Sequence, residues 1–354
     1  MNRAGMLAYV VLLGALGSAA AAQDSANSAE AHIVLPQKLI SGQPATLAVV
    51  TAAGQLAEGA EVEFSGGERV TTDATGRATF TAPAAAGVLL ARLSGLNLSA
   101  STTVIAPPPV VPDGVQVLEY PRVISVSDRF AVDGSGFRGE ADGNRALLGD
   151  QPALVLAASP VALVLLPGPH AVQGPTQLVI EVGGRSPGPV PVTLVLLELS
   201  ATKKQLAPNE KGKLTVRVRG TNQRLVLEAR NLTPDVIGLP RGNMQRVTSS
   251  GGASNTAQIE LHGLRVGDFS LSVRLVPGAT GLPDMEVVRT KLLAARSLAT
   301  GNWQERVDRV LQRIARDPQD VARVRDDLEK MLAEQPEGQF GQLLEAAWRE
   351  LIKR

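Results

Sequence analysis

Residues 59–95 read GAEVEFSGGERVTTDATGRATFTAPAAAGVLLARLSG, and this stretch decides the fold class. From 60 to 64, apolar residues alternate with Glu61 and Glu63, so the carboxylates share one face of a strand and the apolar side chains share the other. The turn sequence DATG follows at 73–76, and alternation resumes after it. A strand, an Asp/Gly turn and a second strand predict a β-hairpin.

The same stretch resembles the bacterial immunoglobulin-like domains of the invasin and intimin type, in which a T-D-x-x-G turn closes an extended strand pair. The matching turn here runs from Thr72 to Gly76. The resemblance implies an immunoglobulin-like β-sandwich over 32–106. Consecutive prolines favour an extended spacer, so the sequence PPPVVP at 107–112 predicts a linker after this sandwich.

A second module follows the linker. Residues 129–197 read RFAVDGSGFRGEADGNRALLGDQPALVLAASPVALVLLPGPHAVQGPTQLVIEVGGRSPGPVPVTLVLL and are similar to an IPT/TIG domain, an immunoglobulin-like sandwich. The resemblance implies a second sandwich over 113–197. The matching features are GSGF at 134–137, the short strand at 146–148, the run at 153–157, the proline turn near Pro167 and the closing strands at 177–182 and 191–197.

The remaining chain predicts a third sandwich and a helical segment. Alternating runs at 213–219, 224–230, 257–261 and 269–275 predict a β-sandwich over 198–283, for which we name no family. Over 284–354 apolar residues recur at helical spacing, so we expect a helical tail or small bundle.

Two details of the tail follow from the same pattern. Residues 285–295 fit either a helix or the last strand of the third sandwich. Trp303 and Trp348 lie on apolar stripes, which favours packing in a core over stacking on a ligand. The predicted fold class is mainly β, with tandem immunoglobulin-like β-sandwiches and a C-terminal α-helical segment.

The N-terminus predicts export. Residues 1–22 combine Arg3, an apolar run over 6–17 and small residues before Gln23, which is typical of a signal peptide cleaved after Ala22. A small-residue linker is expected over 23–31. No later apolar run is long enough to cross a bilayer, so we expect an extracytoplasmic protein that does not span the membrane and is periplasmic, secreted or at the cell surface.

Composition argues against most chemistry. The 354 residues include no Cys and only three His, which excludes disulfides, thiolate zinc sites and Cys nucleophiles. No G-x-S-x-G or H-E-x-x-H motif is present. We therefore expect no enzyme, no cofactor, no catalytic residue and no metal site.

Two motifs leave alternatives open. Gly134, Gly136 and Gly139 match the G-x-G-x-x-G dinucleotide fingerprint, but the sequence after them predicts no helix, which favours a tight turn with Phe137 in a sandwich core. Oxygen-bearing side chains cluster over 133–150 and offer ligands to Ca²⁺, although their spacing fits no calcium loop. These side chains are Asp133, Glu140, Asp142, Asn144 and Asp150.

A hydrolase is a further alternative. A hydrolase would need a constellation of carboxylates or His formed on folding, for which Glu61 and Glu63 are paired carboxylates and His170 and His262 are the candidate histidines. The alternation around Glu61 and Glu63 is instead typical of a solvated outer sheet face.

The net charge of +1 hides an uneven distribution. Residues 23–106 and 107–197 each carry −3 and the tail is neutral, whereas 198–283 has 12 Lys and Arg against 6 Asp and Glu. This basic module predicts binding of an anionic partner. Its alternative is a solvated face balanced by Glu228. The candidate partner-binding residues are Lys213, Arg217, Arg219, Arg224 and Arg230.

Together these patterns favour a non-catalytic extracytoplasmic protein for adhesion, scaffolding or envelope assembly through protein–protein contacts. The alternative is an accessory module that binds anionic cell-surface polymer through the third sandwich. The predicted partner is thus a protein or a surface polymer and not a nucleic acid, and the tail is a candidate docking or oligomerisation element.

Overall fold

The computed structural model describes residues 31–51, 54–95, 98–108, 114–276, 285–317, 320–334, 336 and 338–352. The predicted signal peptide over 1–22 lies outside these residues, as do nearly all of the linker over 23–31 and most of the linker over 107–112. The chain divides into two compact units, of which the first ends at Leu196 and the second begins at Leu197.

The first unit begins with a sandwich of two sheets. One sheet has the order β1-β3-β6 and the other β2-β8-β7-β4-β5, in which only β2 and β8 pair in parallel. The Phe64 and Phe80 rings pack 4.7 Å apart in its core. The strands are β1 (His32–Val34), β2 (Lys38–Ile40), β3 (Pro44–Val50), β4 (Glu61–Phe64), β5 (Arg69–Thr71), β6 (Arg77–Thr81), β7 (Gly87–Leu93) and β8 (Ser99–Ile105).

The predicted turn forms between β5 and β6, but the prediction of a β-hairpin is wrong. β5 pairs with β4 and β6 pairs with β3, so the turn connects the two sheets of the sandwich. Asp73 accepts hydrogen bonds from the backbone N–H (2.8 Å) and the hydroxyl (2.6 Å) of Thr75. These bonds hold the pKa of Asp73 below its ordinary value. Gly76 has φ +66°, and a Cβ there would lie 2.5 Å from Cβ of Leu56, so this turn requires glycine.

The second sandwich of the first unit has strands joined in the order β16-β15-β12-β13-β14-β11-β9, and β10 pairs with β16 in parallel. Phe137 is buried in its core, as predicted. A short 3₁₀ turn at Ala141–Gly143 precedes β12. The strands are β9 (Gln116–Glu119), β10 (Val123–Ser125), β11 (Phe130–Ser135), β12 (Asn144–Leu148), β13 (Gln151–Ser159), β14 (Ala162–Pro167), β15 (Gly174–Val182) and β16 (Val190–Ala201). The last five residues of β16, from Leu197, belong to the second unit.

The second unit contains a sandwich and four helices. Its strands form the sheets β17-β21-β19 and β20-β18-β22. The strands are β17 (Lys211–Arg219), β18 (Val226–Asn231), β19 (Ile237–Gly238), β20 (Met244–Thr248), β21 (Thr256–Gly263) and β22 (Leu271–Leu275). The helices are α1 (Met285–Leu298), α2 (Asn302–Arg316), α3 (Val321–Ala333) and α4 (Gly338–Leu351).

The helices pack with one another and against the outer face of β20-β18-β22, since Val226, Met244 and Val276 belong to the same apolar cluster as the helical stripes. Trp348 is fully buried in that cluster, as predicted, whereas Trp303 is half-buried and packs on Phe340. The apolar stripes of the tail are thus packed within its own chain, whereas Leu293 and Leu298 of α1 are exposed.

The structure confirms the predicted fold class, mainly β with tandem sandwiches and a helical tail. The open alternative for 285–295 resolves as helix, because this segment is the greater part of α1. No helix among the described residues is both long enough and apolar enough to cross a bilayer.

Candidate functional site

Within the first unit, the two sandwiches share a buried contact that we call the junction, formed by Thr46, Gly139, Ala141 and Ala158. Thr46 on β3 pairs with Ala158 on β13 as antiparallel neighbours. The Thr46 hydroxyl donates to the Gly139 carbonyl oxygen (2.7 Å) and accepts from the Ala141 N–H (3.1 Å). Because Thr46 is only 3% exposed, one side chain satisfies two buried backbone groups of the other sandwich.

An apolar seam extends the junction. Buried aliphatic side chains of β1 and β3 pack against those of β13 and β14 in one cluster. Because this cluster is distinct from the two sandwich cores, it stabilises the pair of sandwiches and not either sandwich alone. Its buried members are Val34, Ala48, Val50, Leu156, Ala157 and Val164.

Ion pairs flank the junction and involve part of the acidic cluster predicted over 133–150. Lys38 Nζ lies 2.6 Å from Asp133 Oδ2, and Arg77 Nη2 lies 2.8 Å from Asp142 Oδ1. Asn144 uses its side chain to bind backbone groups of its own loop. No group of three or more His, Asp or Glu side chains in the described part of the chain is placed to hold a metal ion.

The G-x-G-x-x-G motif belongs to the same junction. The chain after Gly139 forms only the 3₁₀ turn, so the helix that a dinucleotide site needs is missing there. A Cβ on Gly139 would lie 2.0 Å from the carbonyl oxygen of Pro44. The third glycine therefore permits the close approach of two backbones from different sandwiches.

The structure places the paired carboxylates of the hydrolase alternative beside Arg69. Arg69 bridges Glu61 (3.0 Å) and Glu63 (3.3 Å) on the outer face of the first sandwich. His170 is exposed in a turn of the second sandwich, and His262 lies at the end of β21 opposite Lys211. The paired carboxylates thus form a surface ion pair with Arg69.

The structure brings together three of the five candidate partner-binding residues. Lys213, Arg217 and Arg219 are exposed on one face of β17 together with Lys211, and we call these four residues the basic strand face. Arg219 pairs with Glu198 at 2.7 Å.

The other two candidates lie elsewhere. Arg224 precedes β18 and donates to the Ser250 carbonyl oxygen, and Arg230 lies on β18 in the opposite sheet. Glu228 lies on the same side of β18 as Arg230, but the helices cover this side, so Glu228 is 2% exposed. The expectation that Glu228 balances a solvated face is therefore wrong.

Glu228 is instead the centre of a buried charge network under the tail. On the two neighbouring strands, Arg246 of β20 and Arg274 of β22 lie directly opposite Glu228. Nη2 of Arg246 donates to Glu228 Oε2 at 2.8 Å, and Nε of Arg274 donates to Glu228 Oε1 at 2.9 Å. The Arg246 guanidinium lies 3.7 Å from the centre of the Trp348 ring, and Trp348 Nε1 donates to Glu329. The cation–π contact joins the sheet to α4, and the Trp348 hydrogen bond joins α4 to α3.

A carboxylate of α4 completes this network. Burial alone would raise the pKa of Glu345, but the positive charges of Arg349, Arg274 and Arg246 outweigh it and hold that pKa below its ordinary value. Burial in turn lowers the pKa of Arg246. The folded second unit therefore favours the ionised form of Glu345.

Sequence reasoning missed the residues that link distant segments. Thr46 and Gly139 are 93 positions apart, and their contact leaves no local pattern. For the Glu228 network the sequence contains one indication. Residues 225–229 read LVLEA, which is almost continuously apolar, as expected for a strand covered on both faces.

No protein-family model matches this sequence, and no curated protein is significantly similar to it. Among solved structures, the Escherichia coli adhesin FdeC matches 70% of this chain and 92% of its own, at 16% identity and TM-score 0.21. SGBP-B of the Bacteroides ovatus mixed-linkage glucan utilization locus matches 75% of this chain and 63% of its own, at 14% identity and TM-score 0.20. The surface layer protein SbsC, domains 1–6, matches 70% of this chain and 39% of its own, at 12% identity and TM-score 0.17.

These TM-scores are too low to support any inference about function. The resemblances to invasin-type and IPT/TIG domains accordingly remain predictions, as do the domain boundaries.

Proposed function

We propose that this chain is a non-catalytic, extracytoplasmic protein of tandem immunoglobulin-like sandwiches that acts in adhesion, scaffolding or envelope assembly through protein–protein contacts. The junction is the observation that carries the proposal. Paired strands, the Thr46 hydrogen bonds and the apolar seam fix two sandwiches as one body. A rigid pair holds binding surfaces at a constant separation, which a spacer or scaffold requires.

The ion pairs of four acidic side chains support the same proposal. Asp133, Asp142, Glu61 and Glu63 each form an ion pair with a basic side chain of the first unit. An active site instead leaves acids or bases directed into a cleft with pKa values suited to proton transfer. These four carboxylates are engaged in structural ion pairs.

Photo-crosslinking in the native envelope tests this function. Leu118 on β9 and Val172 in the loop before β15 are large, exposed side chains of the second sandwich, so we expect both to tolerate replacement by benzoylphenylalanine. We expect a crosslinked adduct of discrete mass with an envelope protein, lost when unlabelled full chain is added as competitor. A scan of exposed positions on all three sandwiches that yields no adduct would contradict the proposal.

A further inference from the structure

The basic strand face is a straight line of cations. Side chains two residues apart on one face of a strand are about 6.6–6.8 Å apart, so the line from Lys211 to Arg219 is about 27 Å long. Its alternation with buried Gly212, Leu214, Val216 and Val218 keeps every cation directed away from the core.

The surrounding carboxylates do not neutralise this line. Arg219 pairs with Glu198, and Glu260 lies across from Lys213 on β21. Lys211, Lys213 and Arg217 form no ion pair with any residue that the structure describes. Four cations therefore share two neighbouring carboxylates, and the face keeps a positive surplus.

The side chains between the cations are neutral and polar. Thr215 lies in the middle of the line, and Thr256 and Gln258 lie beside it on β21. No aliphatic, Phe, Tyr or Trp side chain points outward from β17 or β21, and His262, opposite Lys211, is the one outward imidazole of these two strands. The two strands therefore lack the apolar anchors of protein interfaces, the large aromatic rings on which nucleic-acid bases stack and the apolar residues that enter a bilayer.

We infer that the basic strand face binds a linear anionic polysaccharide. Lys211, Lys213 and Arg217 pair with the acidic groups of the polymer, and Thr215 and Gln258 hydrogen-bond with its hydroxyl groups. Charge complementarity along an extended line selects this occupant. The inference is independent of the proposed scaffold function, since it concerns the second unit and the junction lies in the first.

Affinity electrophoresis of the full chain in gels containing polygalacturonate tests the inference. We expect K213Q/R217Q to bind at least about tenfold more weakly than the natural chain, because two of the unpaired cations are lost. Binding of the natural chain weakens steeply between about 0.05 M and about 0.5 M salt, as exposed charges are screened. R217K preserves the charge and retains most of the affinity.

The matched control is R309Q/K330Q, which removes two exposed cations of the tail and leaves affinity within about twofold, since the strand face keeps its charge. An equal loss with R309Q/K330Q or with R224Q/R230Q would overturn the inference. So would equal binding to neutral dextran, or tighter binding to single-stranded DNA or to phosphatidylglycerol vesicles. Unchanged tryptophan fluorescence shows that each variant is folded. The photo-crosslinks that test the proposed scaffold function should form equally well in K213Q/R217Q, so the two proposals can fail separately.

Discussion

The hydroxyl of Thr46 in the first sandwich donates a 2.7 Å hydrogen bond to the carbonyl oxygen of Gly139 in the second. The hydroxyl oxygen of Thr46 also accepts a hydrogen bond from the N–H of Ala141, so this buried hydroxyl is both donor and acceptor between the two sandwiches. Removal of such a group leaves two backbone partners without water or protein to bind. The contact is therefore both a stabilising and an orienting feature of the first unit.

Thr46→Val tests the energy of this contact. Valine fills the same volume but leaves the Gly139 carbonyl and the Ala141 N–H unsatisfied, at a cost of about 1–3 kcal/mol. Amide hydrogen exchange over 139–146 should become correspondingly faster. Thr79→Val is the control, because Thr79 is the exposed neighbour of Thr46 on β6. Equal acceleration in both variants would show that the junction does not depend on the Thr46 hydroxyl.

Gly139→Ala tests the close backbone approach. The added methyl group would lie 2.0 Å from the Pro44 carbonyl oxygen, so the two sandwiches must separate locally. We expect a lower melting temperature of the first unit, by about 2–4 °C for each kcal/mol lost. Gly66→Ala is the control, since a Cβ there meets no atom within 4 Å. A melting temperature equal to that of the control would refute the close approach.

Glu228→Gln tests the buried network under the tail. Loss of its charge leaves Arg246 buried beside Trp348 without its carboxylate, and we expect the second unit to lose about 3–5 kcal/mol. Both tryptophans of the chain lie in the tail, so their fluorescence during urea unfolding reports on this unit. Asp235→Asn, at an exposed position, should change little. A loss below about 1 kcal/mol would mean that the helices hold by apolar packing alone.

The lowered pKa of Glu345 predicts that the second unit loses stability in acid. Because its pKa is lowered in the folded state, its ionisation stabilises the fold fully above the unfolded value of about 4.3. This stabilisation is lost as the pH falls below that value and through the folded pKa. Glu345→Gln should lower stability at neutral pH and flatten its fall in acid, measured by tryptophan fluorescence. Parallel curves for the variant and the natural chain would contradict this role.

Local patterns predicted the elements of the second unit well. The alternation at 213–219 corresponds to β17 from Lys211 to Arg219, and the stripe that starts near Asn302 corresponds to α2. Both are set by residues a few positions apart, because strand and helix periods are short. The outward direction of Lys213, Arg217 and Arg219 follows from the same alternation.

Local sequence patterns could not predict the contacts between distant segments. Arg230 and Lys213 have similar sequence surroundings, yet they lie on opposite sheets because the chain reverses between β17 and β18. Glu228 is buried only because helices more than 50 residues later cover its sheet. Which face a helical tail covers depends on tertiary packing and not on the strand itself.

The rigidity of the pair of sandwiches is tested most directly by the distance between two spin labels, one at Thr71 in the first sandwich and one at Asp150 in the second. Both positions are exposed, and the chain contains no cysteine, so Thr71→Cys and Asp150→Cys direct the labels without further changes. We predict a single narrow distance distribution in pulsed dipolar spectroscopy, broadened by Thr46→Val or Gly139→Ala. A broad distribution in the chain with an intact junction would contradict the account.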